Sequence, residues 1–318
     1  MQQAVQERIL RLALLCIANG TPDMAAEAHR VPVKEYADEL NILRRYPQPV
    51  GAASDVTNPG DWIARSCMGM PVLITRDCNG ALRAYLNVCR HRGMQLVDCG
   101  RGSNRFDFSC PYHAWRYDNT GLLKNIPKSF GFHNLPREDF NLVPLAAEER
   151  AGLIWVIAEP RLRNASISAL LGPYVDELEG FGFCSHVGYA PRSFSIASHW
   201  KLLADGSLED YHFQVLHQKT SAPLFLDTSQ LTDNQGLHFR FFLVQRSLTR
   251  AAEEGLRGSV IRTFGNFLYF FFSSTWFLVQ PDHAMVTFTT PTDVRTTMLE
   301  KLALIPKEPD ENDRAYWD

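Results

Sequence analysis

The chain has 318 residues, of which 45% are hydrophobic and 21% charged, a balance that excludes a disordered or fibrous protein. Its formal net charge of -3 and sequence pI of about 6.4 lack the basic excess that nucleic-acid binding usually requires. The length favours two domains over one.

Helical periodicity predicts an N-terminal helical segment over residues 1–45. Apolar residues in ERILRLALL recur at helical spacing, and VKEYADELNILRR repeats the pattern after Pro32. The apolar run from Ile9 to Ala18 contains Arg11 and is too short to cross a bilayer, and Glu7 stands where a signal peptide would be basic. The sequence therefore predicts neither a membrane segment nor an export signal.

The cysteines bear on the compartment. They are odd in number and scattered, and no export signal precedes them, which favours a reducing compartment and metal binding over disulfides. We therefore predict a cytoplasmic protein. The seven positions are Cys16, Cys67, Cys78, Cys89, Cys99, Cys110 and Cys184.

Residues 46–160 predict a small antiparallel β domain. Short β-like runs such as PVLITRD, LRAYLNV, FDFSC and GLIWVIAEP are separated by Gly, Asn and Asp turns. RLRNASISALLGPYVDEL follows and is predicted to be one helix.

Residues 161–318 predict a second domain. Its β-like runs are SFSIASHWKLL, LHFRFFLVQRSL, GNFLYFFFSSTWFLVQP, AMVTFTTPT and EKLALIP, placed around an acidic, histidine-containing segment. Long strands around one helix-like segment predict a curved antiparallel sheet that grips a helix. The fold class predicted for the whole chain is α+β.

Two short motifs carry metal-binding chemistry. Cys89-x-His91 is followed after eighteen residues by Cys110-x-x-His113. One interpretation of these four residues is a zinc site with two cysteine and two histidine ligands. A Rieske [2Fe-2S] cluster, with two thiolates on one iron and two imidazoles on the other, is the second. Zinc fingers usually pair like ligands, whereas each loop here supplies one of each, which favours the cluster.

The residues around these ligands resemble a known family. CRHRG and CPYHAW are similar to the cluster loops of the bacterial Rieske non-haem iron oxygenases, with the pattern C-x-H-R-G and C-P-Y-H-G/A-W. The likeness runs from about Trp62 to the end of the chain. It implies an antiparallel β Rieske domain followed by a helix-grip, START-like catalytic domain of the aromatic ring-hydroxylating type.

A second constellation lies in HWKLLADGSLEDYHFQVLH, residues 199–217. An irregular helix can bring His212 and His217 to one iron, and Glu209 is predicted to share a helical face with His212. The stretch resembles the family's W-K-x(n)-D/E-x-Y-H-x4-H segment. That resemblance implies His212 and His217 as mononuclear Fe(II) ligands, and Glu209 as the acid that links this iron to a cluster histidine of a neighbouring subunit. Asp210 is predicted to be solvated or a local cap.

The family's third iron ligand is an aspartate on a C-terminal helix. AYWD, near residue 318, resembles the start of that helix, so we expect this ligand beyond residue 318 and a chain truncated at its C-terminus. The acids that remain available lack the matching context, and no third ligand is assigned. They are Asp310, Asp313 and Asp318.

The resemblance implies a terminal oxygenase component. An NAD(P)H-dependent reductase, with or without a ferredoxin, supplies electrons to the cluster, and O2 and a small organic, aromatic substrate react at the second iron. The product is a hydroxylated or dihydroxylated ring, or a demethylated quaternary ammonium compound. The resemblance also implies a homotrimer, with or without a beta subunit. A Rieske electron-transfer protein without a working second iron, and a structural zinc protein, are the rival readings.

Overall fold

A computed structural model of the chain describes residues 1–20, 40–132, 134–254, 261–307 and 314–317. The chain divides into two compact units. We call them the small-sheet unit, Glu39–Leu170 with His186–Gly188, and the large-sheet unit, Met1–Asp38, Leu171–Ser185 and Tyr189–Asp318. The domain limits predicted at residues 45 and 160 stay predictions.

The first helix buries Ile9 and Ala13, one helical turn apart, and ends where Gly20 adopts a φ of 62°. Much of the predicted helix VKEYADELNILRR lies outside the described residues. Within the described part of the chain no helix is long and apolar enough to span a membrane. The helices are α1 (Gln3–Asn19), α2 (Leu40–Leu43), α3 (Ile167–Leu171), α4 (Pro173–Glu179), α5 (Trp200–Ser207), α6 (Phe213–Leu216), α7 (Ser247–Glu254) and α8 (Arg314–Trp317).

The single helix predicted over residues 161–178 was wrong. The chain forms α3 and α4 there, separated by Gly172. Gly172 has a φ of 66°, which is left-handed backbone, and Pro173 begins α4 without an N–H to continue α3. The interruption follows from these two residues.

The small-sheet unit is built from three antiparallel sheets, in the orders β1-β10-β9, β4-β3-β2-β5 and β6-β7-β8. Its strands are β1 (Gln48–Ala52), β2 (Trp62–Cys67), β3 (Met70–Arg76), β4 (Leu82–Leu86), β5 (Gly100–Gly102), β6 (Asp107–Ser109), β7 (Arg116–Asp118), β8 (Leu123–Asn125), β9 (Ala146–Arg150) and β10 (Leu153–Ile157). CRHRG therefore lies between β4 and β5, and CPYHAW forms the turn between β6 and β7.

The large-sheet unit carries one seven-stranded sheet, in the order β11-β17-β16-β15-β14-β13-β12. Neighbours from β12 to β17 pair antiparallel. The α+β prediction with antiparallel sheets is confirmed. The strands are β11 (Val187–Ile196), β12 (Phe225–Gln235), β13 (His238–Gln245), β14 (Gly265–Phe271), β15 (Thr275–Val279), β16 (Ala284–Asp293) and β17 (Thr296–Ile305).

Two predicted strands are divided. SFSIASHWKLL is a strand only to Ile196, because the side chain of His199 accepts a hydrogen bond from the Lys201 N–H and caps the start of α5. GNFLYFFFSSTWFLVQP is a hairpin of β14 and β15, which turns at Phe272–Ser274.

Helix α5 packs on one face of the large sheet. Ala204 contacts a buried cluster that contains Phe270 of β14 and Trp276 of β15. Side chains alternate across a strand, so every second residue of β14 and β15 faces this helix.

The other face of the large sheet holds a buried ion-pair network. Arg240 of β13, with a side chain 4% exposed, donates to both carboxylate oxygens of Glu177 at 2.7 Å and to Asp233 at 2.8 Å. Asp233 also accepts from Arg8 of α1 at 3.0 Å, and the Tyr269 hydroxyl donates to Glu177 at 3.0 Å. The network ties α1 and α4 to this sheet.

Candidate metal centres and cavity

The two Cys-His loops share one backbone arrangement. The Gly93 N–H donates to the Cys89 carbonyl at 3.0 Å, and the Ala114 N–H donates to the Cys110 carbonyl at 2.9 Å. Each cysteine N–H in turn donates to the carbonyl five residues later, at 2.7 and 2.8 Å. Gly93 and Ala114 both have positive φ, 76° and 53°. The same tight turn therefore presents the cysteine and histidine of each loop.

The structure brings the four predicted cluster ligands together. Cys89 and Cys110 are 1% and 3% exposed and belong to one buried cluster. The rings of His91 and His113 have centroids 4.7 Å apart. His91 stacks on Trp115, with centroids 4.8 Å apart and planes 7° from parallel. The thiols lie in the core, and His113 lies at the surface.

The donor set fits a Rieske cluster. His91 Nδ1 is buried without a hydrogen-bond partner in the described structure, as expected of an atom reserved for a metal. Burial, followed by the charges of His113 and Arg92, lowers the pKa of His91 and favours the neutral, metal-binding ring.

Zinc fits this donor set less well. Within the described ranges, no three His, Cys, Asp or Glu side chains converge on one metal ion. A structural zinc needs four such ligands about 2.0–2.3 Å from a single point. A cluster needs only two protein ligands on each iron.

Tyr117 is a contact that the sequence reasoning missed. Its buried hydroxyl lies 3.5 Å from Cys89 Sγ and accepts the Arg90 N–H at 3.1 Å. Burial raises the pKa of Cys89, and the bond to Tyr117 is the first of the contacts that lower it. The available signal was the position of Tyr117 on β7, two residues after the CPYHAW motif.

Glu209 and His212 meet, but the predicted shared helical face was wrong. Helix α5 ends at Ser207 and α6 begins at Phe213, so both residues lie in the turn between the helices. Glu209 Oε1 pairs with His212 Nδ1, and Glu209 Oε2 accepts the His212 N–H at 3.2 Å. Nδ1 is thereby occupied, which leaves Nε2 of His212 as the ring nitrogen for a metal.

This contact also sets the charge of Glu209. Burial by itself would raise the pKa of Glu209, but side-chain and backbone hydrogen bonds with His212 outweigh it and lower the pKa. The side chains of Glu209 and His212 are 44% and 30% exposed. Glu209 is therefore an ionised acid that remains accessible from outside.

His212 and His217 flank the one-turn helix α6. Their ring centroids are 5.3 Å apart, and the ring of Phe213 lies 5.2 Å from that of His217. The acids Asp310, Asp313 and Asp318 lie outside the described residues. Asp210 is half-buried and lines the same cavity as both histidines.

A cavity of about 480 Å³ opens beside these histidines. One wall comes from α5, α6 and the turn between them, and the other from the face of the large sheet that α5 covers. The sequence reasoning missed most of the sheet wall, because its residues come from five strands. The only sequence signal for them is that side chains alternate between the two faces of each strand. They are Leu243, Leu268, Trp276, Leu278, Met285, Thr287, Thr289, Leu299 and Lys301.

Comparison with known families covers both units. Residues 46–136 match the family described as Rieske [2Fe-2S] domain. Residues 184–316 match the family described as ring hydroxylating alpha subunit (catalytic domain).

Two relatives illustrate the similarity. The carnitine monooxygenase oxygenase subunit of Acinetobacter baumannii is 28% identical over 255 residues, 78% of this chain and 66% of that protein. The biphenyl 2,3-dioxygenase subunit alpha of Rhodococcus jostii is 35% identical over 122 residues, 38% of this chain and 26% of that protein. The chain thus spans less than two thirds of the length of these relatives.

A solved structure supports the fold. The quaternary ammonium Rieske monooxygenase CntA, with an inhibitor bound, superposes with a TM-score of 0.74 at 23% identity, over 89% of this chain and 74% of that one. At this identity the likeness establishes the fold alone.

Proposed function

We propose that this chain, which combines a Rieske [2Fe-2S] domain with the catalytic domain of a ring hydroxylating alpha subunit, is the terminal component of an oxygenase. In this role it takes electrons from an NAD(P)H-dependent reductase, with or without a ferredoxin, and uses O2 to oxidise a small organic molecule. One observation carries the proposal: a Cys2His2 set with buried thiols and a Glu-His-His set beside a cavity occur in one chain.

In this proposal Cys89 and Cys110 hold one iron of the cluster, and His91 and His113 hold the other. The buried thiols suit the inner iron, and the surface position of His113 suits the outer one. His91 Nδ1 is free for a metal bond, and Trp115 holds the His91 ring in one orientation by stacking.

His212 and His217 are the proposed ligands of a mononuclear Fe(II), with Glu209 as the positioning acid. Two histidines and a carboxylate are the usual ligands of such an iron, with open positions for reactants; Glu209 bonds to His212, and no carboxylate ligand is assigned. When bound, the two metal groups supply one-electron transfer and O2 activation. Glu209 fixes the tautomer of His212, and the apolar cavity wall excludes water from the carbon to be oxidised.

In this proposal the electron passes from the cluster of one copy of the chain to the second iron of a neighbouring copy. The copies form a head-to-tail trimer, with or without a beta subunit. Exposed apolar residues flank the outer side of the cluster, Tyr112 at 58% and Phe130 at 79%, and others flank Glu209, Tyr211 at 95% and Val215 at 83%. Apolar patches of this kind usually mark interfaces. Exposed Arg90 and Arg92 lie beside the cluster loops, and the acids Glu209 and Asp210 lie beside the second site, so the charges are complementary.

The substrate class has two candidates. The family description and the biphenyl dioxygenase relative favour an aromatic ring and a place in aromatic hydrocarbon catabolism. The carnitine monooxygenase relative favours a quaternary ammonium compound. With either substrate, O2 and electrons are consumed at the proposed iron site of His212 and His217. The proposed location is the cytoplasm, which supplies the reduced nicotinamide.

Metal content tests the proposal. The full chain, purified without oxygen, is analysed for iron, acid-labile sulfide and zinc, with visible and EPR spectra of the reduced protein. About three irons and two sulfides per chain are expected, because a cluster contains two of each and the second site adds one iron. His212→Ala should remove about one iron and leave the Rieske spectrum intact. His238→Ala is the control, because His238 is a buried histidine that accepts the Phe272 N–H at 3.1 Å and does not line the cavity.

Other outcomes contradict the proposal. If the wild-type chain holds two irons and two sulfides, and His212→Ala holds the same, the second iron site is absent. The chain would then be an electron-transfer protein. Zinc without sulfide would reject the cluster itself.

A further inference from the structure

The sheet wall of the cavity contains a row of polar residues. Trp276 of β15 pairs with Thr287 of β16, and Thr287 pairs with Lys301 of β17. Cross-strand neighbours lie on one face of a sheet, and all three residues line the cavity. Thr289 lies two residues from Thr287 on the same face. The Cα atoms of Trp276 and Lys301 are two strand spacings, or about 10 Å, apart, a span that a small polar group and the flexible lysine can bridge.

The two ends of this row are hydrogen-bond donors, and the threonine hydroxyl between them can donate or accept. Trp276 Nε1 can only donate, and so can the Lys301 ammonium. Within the described structure Trp276 Nε1 and the Thr289 hydroxyl are buried without hydrogen-bond partners, in residues 5% and 1% exposed. Buried donors are nearly always satisfied, so a ligand that supplies acceptors completes this wall.

The charges in the cavity are separated. Lys301 makes no ion pair within the described ranges and is the cation among the lining residues, whereas Glu209 and Asp210 lie on the helix side beside the histidines. Aliphatic side chains fill much of the remaining sheet wall, at Leu243, Leu268, Leu278, Met285 and Leu299. A quaternary ammonium group offers no acceptor and would meet the positive charge of Lys301 at this wall.

We propose that the Trp276–Thr287–Lys301 row is a carboxylate-binding subsite, and that the substrate of the proposed oxygenase is an organic acid. The carboxylate lies at the sheet wall, where Lys301 supplies a charge-assisted hydrogen bond. The apolar body lies against the leucines. The carbon to be oxidised then points to His212 and His217, because Glu209 and Asp210 repel the acid group from that end. This inference rests on the proposed function for the chemistry but not for the binding.

Binding of three probes that share a phenylethyl body and differ in the charge of the polar group tests it. The full chain with its metals is titrated by calorimetry, without electron donor, with 3-phenylpropionate, the neutral 3-phenylpropanamide and the cation trimethyl(2-phenylethyl)ammonium. The acid is expected to bind about tenfold or more tightly than either analogue. Lys301→Met should abolish this preference, Lys301→Arg should keep it, and Trp276→Phe should weaken the acid alone.

Arg295→Met is the matched control. Arg295 is exposed in the turn between β16 and β17, outside the cavity, and its replacement removes the same charge. The preference for the acid should be unchanged in this variant. If Arg295→Met lost the preference for the acid as fully as Lys301→Met, the overall charge of the protein would explain the preference. That result would overturn the proposal.

Three further results would overturn the inference: no binding of the acid, tighter binding of the cation, or a preference for the acid that survives in Lys301→Met. The last result would place the carboxylate on the metal or elsewhere. Iron and sulfide are measured on each preparation, so a failed subsite in a metal-replete protein leaves the proposed oxygenase intact. A protein that binds the acid but holds no metals would support the subsite and contradict the proposed oxygenase.

Discussion

Tyr117→Phe should lower the reduction potential of the cluster. The hydroxyl of Tyr117 lies 3.5 Å from Cys89 Sγ inside a fully buried core. Burial, followed by the bond to Cys89, raises the pKa of Tyr117, so the phenol keeps its proton and donates it to a thiolate ligand. Reduction adds negative charge to the cluster. The hydrogen bond therefore stabilises the reduced state more than the oxidised state, and its loss favours oxidation.

The size of the change follows from the geometry. A hydrogen bond to a charged group contributes about 1.5–3 kcal/mol, and a long bond to sulfur that exists in both redox states leaves a difference of about 1 kcal/mol. A tenfold change in equilibrium is about 1.4 kcal/mol and about 59 mV for one electron. The expected fall is thus about 40 mV. The Arg90 N–H also loses its acceptor, at a cost of about 1–3 kcal/mol in folding stability.

An EPR-monitored redox titration measures this shift. Tyr85→Phe is the control, because Tyr85 belongs to the same buried cluster as Cys89 and Tyr117 but has no hydrogen bond to a cysteine. Its potential should equal that of the wild type. An unchanged or higher potential in Tyr117→Phe, or an equal fall in both variants, would show that the Tyr117 hydroxyl does not stabilise the reduced cluster.

Three other predictions concern stability. Ala114→Gly should raise the free energy of unfolding by about 1 kcal/mol in urea titration, because Ala114 has a φ of 53°, whereas Ala114→Val should lower it; the reverse order would contradict the assigned backbone. Arg240→Met should lower it by about 3–5 kcal/mol, because Glu177 is left charged and unpaired; the double variant Arg240→Met/Glu177→Leu should recover most of the loss, and no recovery would reject the pair. Burial raises the pKa of Asp77, but hydrogen bonds from Ala81, Arg83 and Asn79 outweigh it and lower the pKa. Its contribution is therefore complete above the unfolded pKa of about 3.9 and lost as pH falls through the folded value. The stability gap between wild type and Asp77→Asn should be constant from pH 6 to about 5 and should narrow as pH falls further to 3, and a gap that is constant over the whole range would contradict this.

The cluster loops were predictable because their ligands are local. Each loop carries its cysteine and histidine within four residues, and a turn closed by Gly93 or Ala114 presents them wherever the loop stands. Spacing favoured a cluster over zinc, and the residues around the ligands added the family resemblance. The contact between Tyr117 and Cys89 depends on how β7 pairs and packs, and no local pattern encodes it.

The second site was predictable only in part. The resemblance of this stretch to the oxygenase family predicted a metal site at His212 and His217, but the helical face expected for Glu209 was wrong, because α5 stops at Ser207. The sheet wall is still less local. Trp276 and Lys301 are 25 positions apart and meet through Thr287, so their proximity depends on the register of three strands.

Helix α6 has a consequence for how the protein matures. It is a single turn, Phe213–Leu216, bounded by His212 and His217, and a helix of this length has almost no stability of its own. If His212 and His217 hold a metal as proposed, that metal would cross-link the two ends of the helix, and loading and local ordering would be one event. Val215 and Leu216 are 83% and 72% exposed on this turn. Under that proposal, unloaded chains would expose these apolar side chains to proteases and aggregation more than loaded chains, and the metal supply of the cell would act as a quality check.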